Sequence, residues 1–469
     1  GSAQVGCGGK GGTMLSYTGH PFIDIGFATI LAFSGKHNIA DLDIGDMENF
    51  GDYIEQHYFV NPTKSLLSTV FPNSAYTQPN PKPETKRRFL DVVVRGYRPE
   101  TPKLQEPCVF TKRPAVMRIY REHAPLLASA TVSNFYPMGD AGLPVSGEVA
   151  LALQALPLGS APCGNRLVAV HSNHHEILQD FARSFLQANR TQISLIEIQE
   201  IPDKEKKLPR ASYPKTLLIE HLLAFGREQE TLAEDREFAS LTAYWFTNRG
   251  QEAAIDIFHL PSQVLRFVIL ADSFHQHTWS RVVSRAWSER KAKDGDRVQH
   301  RNGLFDALFS LPDTAQQFLR AHLIGWQLEA SRQGEDLLRA WDLTELFLEV
   351  IMNMDRTRIE AIRRMGDVLA TYCREIDLRL LNRLFRARYF RELSYELAQA
   401  KKIATARGQQ LFTFDDLVEV FAESEDVPRL DWSLARDLVL IRMFDQLRDR
   451  LGESKEQLEE MTRDVAAVD

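Results

Sequence analysis

Between Tyr17 and Gly35 the apolar positions wind around a helix instead of keeping to one stripe. Phe22, Ile25, Thr29 and Phe33 line up at three- and four-residue steps, with Ile23, Phe27, Ile30 and Leu31 beside them. A helix apolar on so much of its circumference is buried on more than one side. Pro21 has its φ preset for a first helical position, and Asp24 falls in the first turn, where the helix dipole favours an acid. Ser34-Gly35 supplies a glycine suited to the left-handed C′ position. The stretch reads as a core helix.

Further along, Asp41 to Tyr58 is amphipathic and ends at Asn61-Pro62, a second helix. Proline and asparagine are dense from Phe71 to Pro83, which denies that segment a helix or central strand. The run Phe89 to Val94 reads as a strand, as do Leu167 to Val170 and, by β-branched alternation, Ile193 to Ile198. Helices are predicted over Pro144–Leu158, Ile177–Asn189 and Pro214–Arg227. A strand pair, Ser240–Asn248 and Ala253–His259, is joined through Asn248-Arg249-Gly250. From Pro261 the strand signal disappears. Ser273 to Arg290 reads as one helix, broken at Asp294-Gly295-Asp296. Beyond about Leu337 apolar residues recur at helical steps almost throughout, with Thr413 capping a short helix and Asp431 or Ser433 opening the last long one. The fold class is therefore α+β: an irregular mixed α/β domain over residues 14–330, then a helical bundle over 331–469. Gly1 to Gly12 are small and polar, so residues 1–13 read as a leader or expression scar, with the natural start near Met14.

Composition narrows the classes. A chain of 469 residues with 25% charged and 44% hydrophobic residues is long enough for two or three domains with a sizeable core. A net charge of −7 excludes a uniformly basic, histone-like binder, but leaves room for local basic surfaces. Four cysteines without paired spacing point to a reducing, cytoplasmic compartment, and no apolar run is long enough for a membrane span.

Chemistry-bearing residues fall in three places. The loop Asn73 to Arg88 holds Asn73, Gln78 and Asn80, whose amides suit base edges, and Lys82, Lys86, Arg87 and Arg88, which suit phosphates. A solvated surface loop has the same composition. Arg281 and Arg285 are four apart and share a helical face among Trp279 and Trp287: either a phosphate-facing surface or the solvated side of a core helix. Arg379, Arg383, Arg386, Arg388 and Arg391 form the densest basic run in the chain. Cys108, Cys163, His171, His174 and His175 invite a zinc reading, yet neither cysteine has a near partner as paired zinc knuckles require. No residue set assembles a catalytic centre, and the reading is a non-enzyme with no cofactor and no metal.

Gly19-His20-Pro21, Asp24-Ile25-Gly26 and the apolar run after them resemble the amino-terminal signature of the large subunit of type I CRISPR effector complexes, subtype I-B. Cys108-Val109-Phe110, Asn134-Phe135-Tyr136-Pro137 and Glu148 to Gly159 resemble later phrases of that family. The resemblance implies a subunit of an RNA-guided surveillance complex that recognises the short protospacer-adjacent motif in double-stranded target DNA. It also implies help with duplex opening and R-loop stabilisation, and recruitment of the helicase-nuclease. Implied partners are the guide CRISPR RNA, the target DNA, the backbone and other subunits of the complex, and the small subunit, which the C-terminal bundle resembles. In this light Asn73, Gln78 and Asn80, with Asn134, become motif-reading residues. Lys82, Lys86, Arg87, Arg88, Arg281 and Arg285 become phosphate contacts, and the arginines from Arg379 to Arg391 a surface for the displaced strand. The family also implies a separately translated small subunit, here of about 105 to 118 residues, from Met352, Met354 or Met365. The competing reading is a helical scaffold that binds protein partners and no nucleic acid. A histidine-based metal hydrolase is a third.

Overall fold

The computed structural model describes residues 15–132, 139–228, 239–249, 253–291, 298–328, 340–424 and 427–451. The chain divides into two compact units, Gly1–His221 with Ala239–His259, and Leu222–Phe238 with Leu260–Asp469.

In the first unit the opening helix, α1 (Pro21–Phe33), is buried along almost its whole length. Asp24 does more than answer the dipole. Its Oδ1 accepts from the Thr18 amide at 2.7 Å and the Thr18 hydroxyl at 2.8 Å, and its Oδ2 accepts from the Gly19 amide at 2.9 Å. The carboxylate therefore ties down the entry that His20, which makes no side-chain cap, leaves open. The exit is a Schellman turn: Lys36 N donates to Leu31 O, Gly35 N donates to Ala32 O, and Gly35 has φ +67°. Gly26 faces α5 (Gly147–Ala155) so closely that a Cβ would stand 1.9 Å from Ala152 O. Only glycine permits that crossing.

Between α1 and α5 run α2 (Ile44–His57), α3 (Thr63–Leu67), α4 (Pro83–Phe89) and a short antiparallel pair, β1 (Met117–Ile119) with β2 (Leu143–Val145). After α5, β3 (Ala161–Cys163) and β4 (Arg166–Ser172) open a four-stranded sheet of order β3-β4-β5-β6. Its other strands, β5 (Leu241–Thr247) and β6 (Ala254–Leu260), follow α6 (His175–Glu197) and α7 (Pro214–Glu228). β4 pairs antiparallel with β5 from Leu167↔Phe246 to Ser172↔Leu241. Leu167 to Val170 are all buried, because α1 and α6 both pack on this strand.

Two strands expected from the sequence are helical. Phe89–Val94 closes α4 and continues as a π-helical turn, Leu90–Val94. Leu90, Val93 and Val94 are buried and Asp91 is exposed, so burial follows a helical step, and packing on α5 overrides the β-preference of three valines. Likewise Ile193 and Ile196 are the buried positions of the last turns of α6, which runs on to Glu197.

After residues 222–228, the end of α7, the second unit continues with α8 (Ser262–Phe274) and α9 (Gln276–Arg285); the helix expected over Ser273–Arg290 ends at Arg285, and residues 287–290 are strand. The expected absence of strands is also overturned. β7 (Trp287–Lys291) pairs with β8 (Val298–Asn302) in register Trp287↔Asn302 to Lys291↔Val298, and the expected break at Asp294-Gly295-Asp296 lies outside the described residues. Next come α10 (Gly303–Leu308), α11 (Ala315–Phe318), α12 (Ala340–Val350), α13 (Arg356–Glu375), α14 (Arg379–Arg386), α15 (Phe390–Ala406) and α16 (Phe414–Phe421). A small pair, β9 (Ala422–Ser424) with β10 (Val427–Pro428), precedes α17 (Trp432–Leu451). α13 lies along α17, and α12, α14 and α16 also pack on it. α8 packs on α12, so the division expected at residue 330 falls inside this unit. Thr413 caps α16 as its sequence suggests, Asp416 N donating to its hydroxyl at 3.1 Å. The fold is α+β with a helical C-terminal region, and no helix among the described residues is long and apolar enough to cross a membrane.

Candidate nucleic-acid interface

In the first unit the segment leading to α4 hangs on one buried ring. Tyr76 is fully buried, with the rings of Tyr58, Phe59 and Phe89 at 5.2, 5.0 and 4.8 Å. This anchor holds a turn in which Asn73 has φ +66° and Gln78 Nε2 makes a long 3.5 Å donation to Asn73 O. Lys64 Nζ, unforeseen in the sequence, donates to Gln78 O at 3.0 Å. Asn73, Gln78, Asn80 and Lys82 all reach solvent, so all three amides are accessible. Asn134 lies outside the described residues.

The three bases after this turn sit on a helix and not in a loop, because Pro83 at N1 starts α4. They are not equivalent. Lys86 is half-buried, its Nζ 4.3 Å over the Phe59 ring. Arg87 is exposed, with a weak 3.9 Å approach to Asp91. Arg88 borders a cleft of about 720 Å³ shared with Arg118, Glu106 and His123. Arg118 is already neutralised there, at 2.6 Å from Glu106 and 3.0 Å from Asp140. The available cations are therefore Arg87, Arg88 and Lys82, on the outer face.

The histidines gather elsewhere. His171 Nε2 approaches Asp24 Oδ2 at 3.6 Å, and burial holds the His20 imidazole below its ordinary pKa. For Asp24, burial pushes the carboxyl up, but His171 and the amides of Thr18 and Gly19 more than reverse this and leave it below the usual range. Cys108 and Cys163 are buried free thiols, and burial pushes Cys163 up to about 12, away from the thiolate a metal needs. Among the described residues no three His, Cys, Asp or Glu side chains come together as a metal site.

In the second unit the arginine run resolves into two classes. Arg383 faces inward between helices, Nε donating to Glu396 Oε2 at 2.6 Å and Nη2 to Asp377 Oδ2 at 2.8 Å. Burial draws its pKa down and the two carboxylates more than reverse it. It is a strut joining α14 to α15, not part of a binding face. Arg379, Arg386, Arg388 and Arg391 are exposed, and the side chains of Arg379, Arg388 and Arg391 have no acidic partner among the described residues.

Two residues that charge counting passes over stand among them: Tyr389 is 69% exposed and Tyr395 60%. The signal for the first was present in the string Arg386-Ala387-Arg388-Tyr389-Phe390-Arg391, where aromatics interleave with bases. Arg391, Tyr395 and Lys402 follow at four- and seven-residue steps on the solvent side of α15. Exposed aromatic rings among cations are the pairing that holds single strands, with nucleobases stacked on the rings and phosphates on the neighbouring cations.

The elbow between α14 and α15 is fixed from below. Arg436 Nη1 donates to Ala387 O, and Arg436 Nη2 to Asp437 Oδ1 at 2.7 Å. Asp437 is fully buried; Gln316 Nε2 donates to its Oδ2 at 2.8 Å, and Arg320 Nε stands 2.9 Å from the same oxygen. Glu392 Oε2 accepts from the amides of Arg388 at 2.7 Å and Tyr389 at 3.3 Å. The backbone that carries Arg388 and Tyr389 is thus held on both sides.

Arg281 and Arg285 share α9 with a fully buried Trp279, whose ring meets Phe267 at 5.8 Å. Arg281 is half-buried, and the Arg285 guanidinium lies against Gly325. Trp279 and Val282 are the buried residues of α9 and Arg285 is exposed, so the helix is amphipathic, with its core contact on one side and Arg285 on the solvent side. No protein-family model, curated protein or solved structure matches this chain.

Proposed function

We propose that this chain is a non-catalytic large subunit of a type I-B CRISPR effector complex. In this reading its second unit holds a displaced single strand, and the turn Asn73–Lys82 with α4 reads a short motif in duplex DNA. The observation that carries it is the pairing of Arg388 and Arg391, without acidic partners among the described residues, with exposed Tyr389 and Tyr395 at a hydrogen-bonded elbow, Arg379 being likewise exposed at the start of α14. Such guanidinium groups supply affinity for phosphate whatever the sequence, and rings supply a preference for unstacked bases. The phrases from Gly19 to Gly159 support the family, and the amides of Asn73, Gln78 and Asn80 supply the donors and acceptors that base-edge reading needs. Guide RNA, the other subunits and the helicase-nuclease are the partners this role entails, in the cytoplasm.

Fluorescence anisotropy with labelled single strands and duplexes tests it, using the chain alone and added to a guide-loaded complex that lacks it. The expected result is salt-sensitive binding of single strands by the chain, and motif-dependent duplex binding only in the complete assembly. A chain that touches neither DNA nor the guide-loaded complex is a scaffold for other proteins, and the proposal fails.

A further inference from the structure

A second site lies in the first unit, away from α4. α6, β3 and the strap Leu208–Ala211 enclose a cavity of about 320 Å³, closed on one side by α7. The strap is pinned alongside β3 by Ala211 N donating to Pro162 O at 3.0 Å and Gly164 N donating to Ala211 O at 2.7 Å. Most of the lining is apolar, with the Phe185 and His221 rings set edge to face at 4.9 Å.

Its polar groups are few and of distinct kinds. Asn189 is 5% exposed and spends both amide hydrogens on Leu158 O and Ser160 O, each at 2.8 Å, which fixes the carboxamide and leaves Oδ1 as its acceptor for the cavity. Gln192, one helical turn on, has no side-chain partner among the described residues. Arg210 donates through Nη1 to Gly164 O at 3.0 Å and has no carboxylate partner among them. Burial and then the nearby Arg249 hold its guanidinium below the ordinary value, the signature of a cation short of a counter-ion. Burial likewise lowers His221, which favours its neutral ring.

From this donor set we propose that the cavity binds a single nucleotide unit: a flat heterocycle laid against the edge-to-face pair Phe185 and His221, its edge on Asn189 and Gln192, and its phosphate on Arg210. The volume lies at the small end of ligand sites, which suits one such unit and no more. An apolar slot with one fixed acceptor, one free amide and one uncompensated cation favours a ring with N–H donors that also carries a negative charge. The proposal does not rest on the role given to α14 and α15, so Tyr389→Ala and Tyr395→Ala should leave it unaffected.

Isothermal titration of the full chain with AMP, GMP, CMP and UMP tests it. At least one should bind, with its nucleoside and inorganic phosphate each weaker by about tenfold or more, since each offers only half of the recognised groups. Arg210→Ala and Gln192→Leu should each weaken binding by about tenfold, with unchanged melting curves showing that both variants fold. Arg210→Lys, which keeps the charge but not the fork, should fall between. Competition by a 5′-phosphorylated oligonucleotide would identify a strand end as the source, and failure to compete would identify the free nucleotide. No binding by any of the four at about 1 mM, or binding indifferent to both substitutions, overturns the proposal.

Discussion

Arg383 and Glu396 meet at 2.6 Å across the elbow of α14 and α15, an ion pair that takes one arginine out of a run of five. Arg383→Ala should therefore act on stability and not on binding. The arginine is more than a third exposed, so solvent screening limits the effect to about 1 kcal/mol, read as a lower urea midpoint. Reversing Arg388 and Arg391 to glutamate should do the opposite. The midpoint holds, while affinity for single strands falls and the slope of log K against log salt flattens by about 0.7 for each phosphate no longer neutralised.

Tyr389→Ala and Tyr395→Ala should each cost about 1–3 kcal/mol of single-strand affinity, the range for one stacked base. Duplex binding should hardly change, since paired bases offer no free face. Anisotropy on matched single and double strands measures the difference. Equal effects on both would mean that the rings serve only the local fold.

Replacing Asn73, Gln78 and Asn80 together by alanine should narrow the gap between a correct and an incorrect motif by about 1–3 kcal/mol for each base edge that goes unread. The comparison belongs in the assembled complex, with assembly verified by size. Discrimination that survives intact places motif reading elsewhere.

Half-buried Asp445 and buried Asp24 give stability opposite pH slopes. Asp445 accepts from the amides of Ala340 and Trp341 at 3.0 and 2.8 Å, capping α12, yet burial pushes its carboxyl up to about 6. A raised acid binds a proton more tightly in the native state, so its contribution is greatest below the ordinary carboxylate value and is lost as pH rises through about 6. Asp24 is lowered, so its contribution is full above that ordinary value and is lost as pH falls through its native pKa. Asp445→Asn should flatten the pH 4–6 decline in the second unit's unfolding midpoint. Asp24→Asn should remove the acid limb of the first unit's. Midpoints measured by denaturant from well below the ordinary carboxylate value up to about pH 7 check both signs.

Gly26→Ala should cost at least about 3 kcal/mol, since the methyl meets backbone that cannot turn aside. Loss of near-ultraviolet circular dichroism with helicity retained would mark the failed crossing.

What the sequence made legible was local. The proline, acid and glycine of α1, the Thr413–Asp416 cap and the neighbouring strands β5 and β6 each carry their signal within a few residues. The valines after Phe89 misled because β-branching is a weak preference, and packing on α5 decided the period. Arg383 could not be told from Arg388 by charge: its acids lie six residues before and thirteen after it, and only the turn between α14 and α15 brings them together. Tyr395 looked like any amphipathic tyrosine until its face proved to be the solvent side. The Asn189–Arg210 cavity left no linear trace, for its walls come from two helices, a strand and a strap.

Arg436, itself held by Asp437, clamps the carbonyl of Ala387 from inside and Glu392 holds the amides of Arg388 and Tyr389 from outside, so the corner keeps its shape without help from the side chains of Arg388, Tyr389 and Arg391. Residues 388, 389 and 391 are accordingly exchangeable in a way that core positions are not. Ligand preference at this corner can be rewritten one side chain at a time, by evolution or by an engineer, while the bundle underneath stays the same.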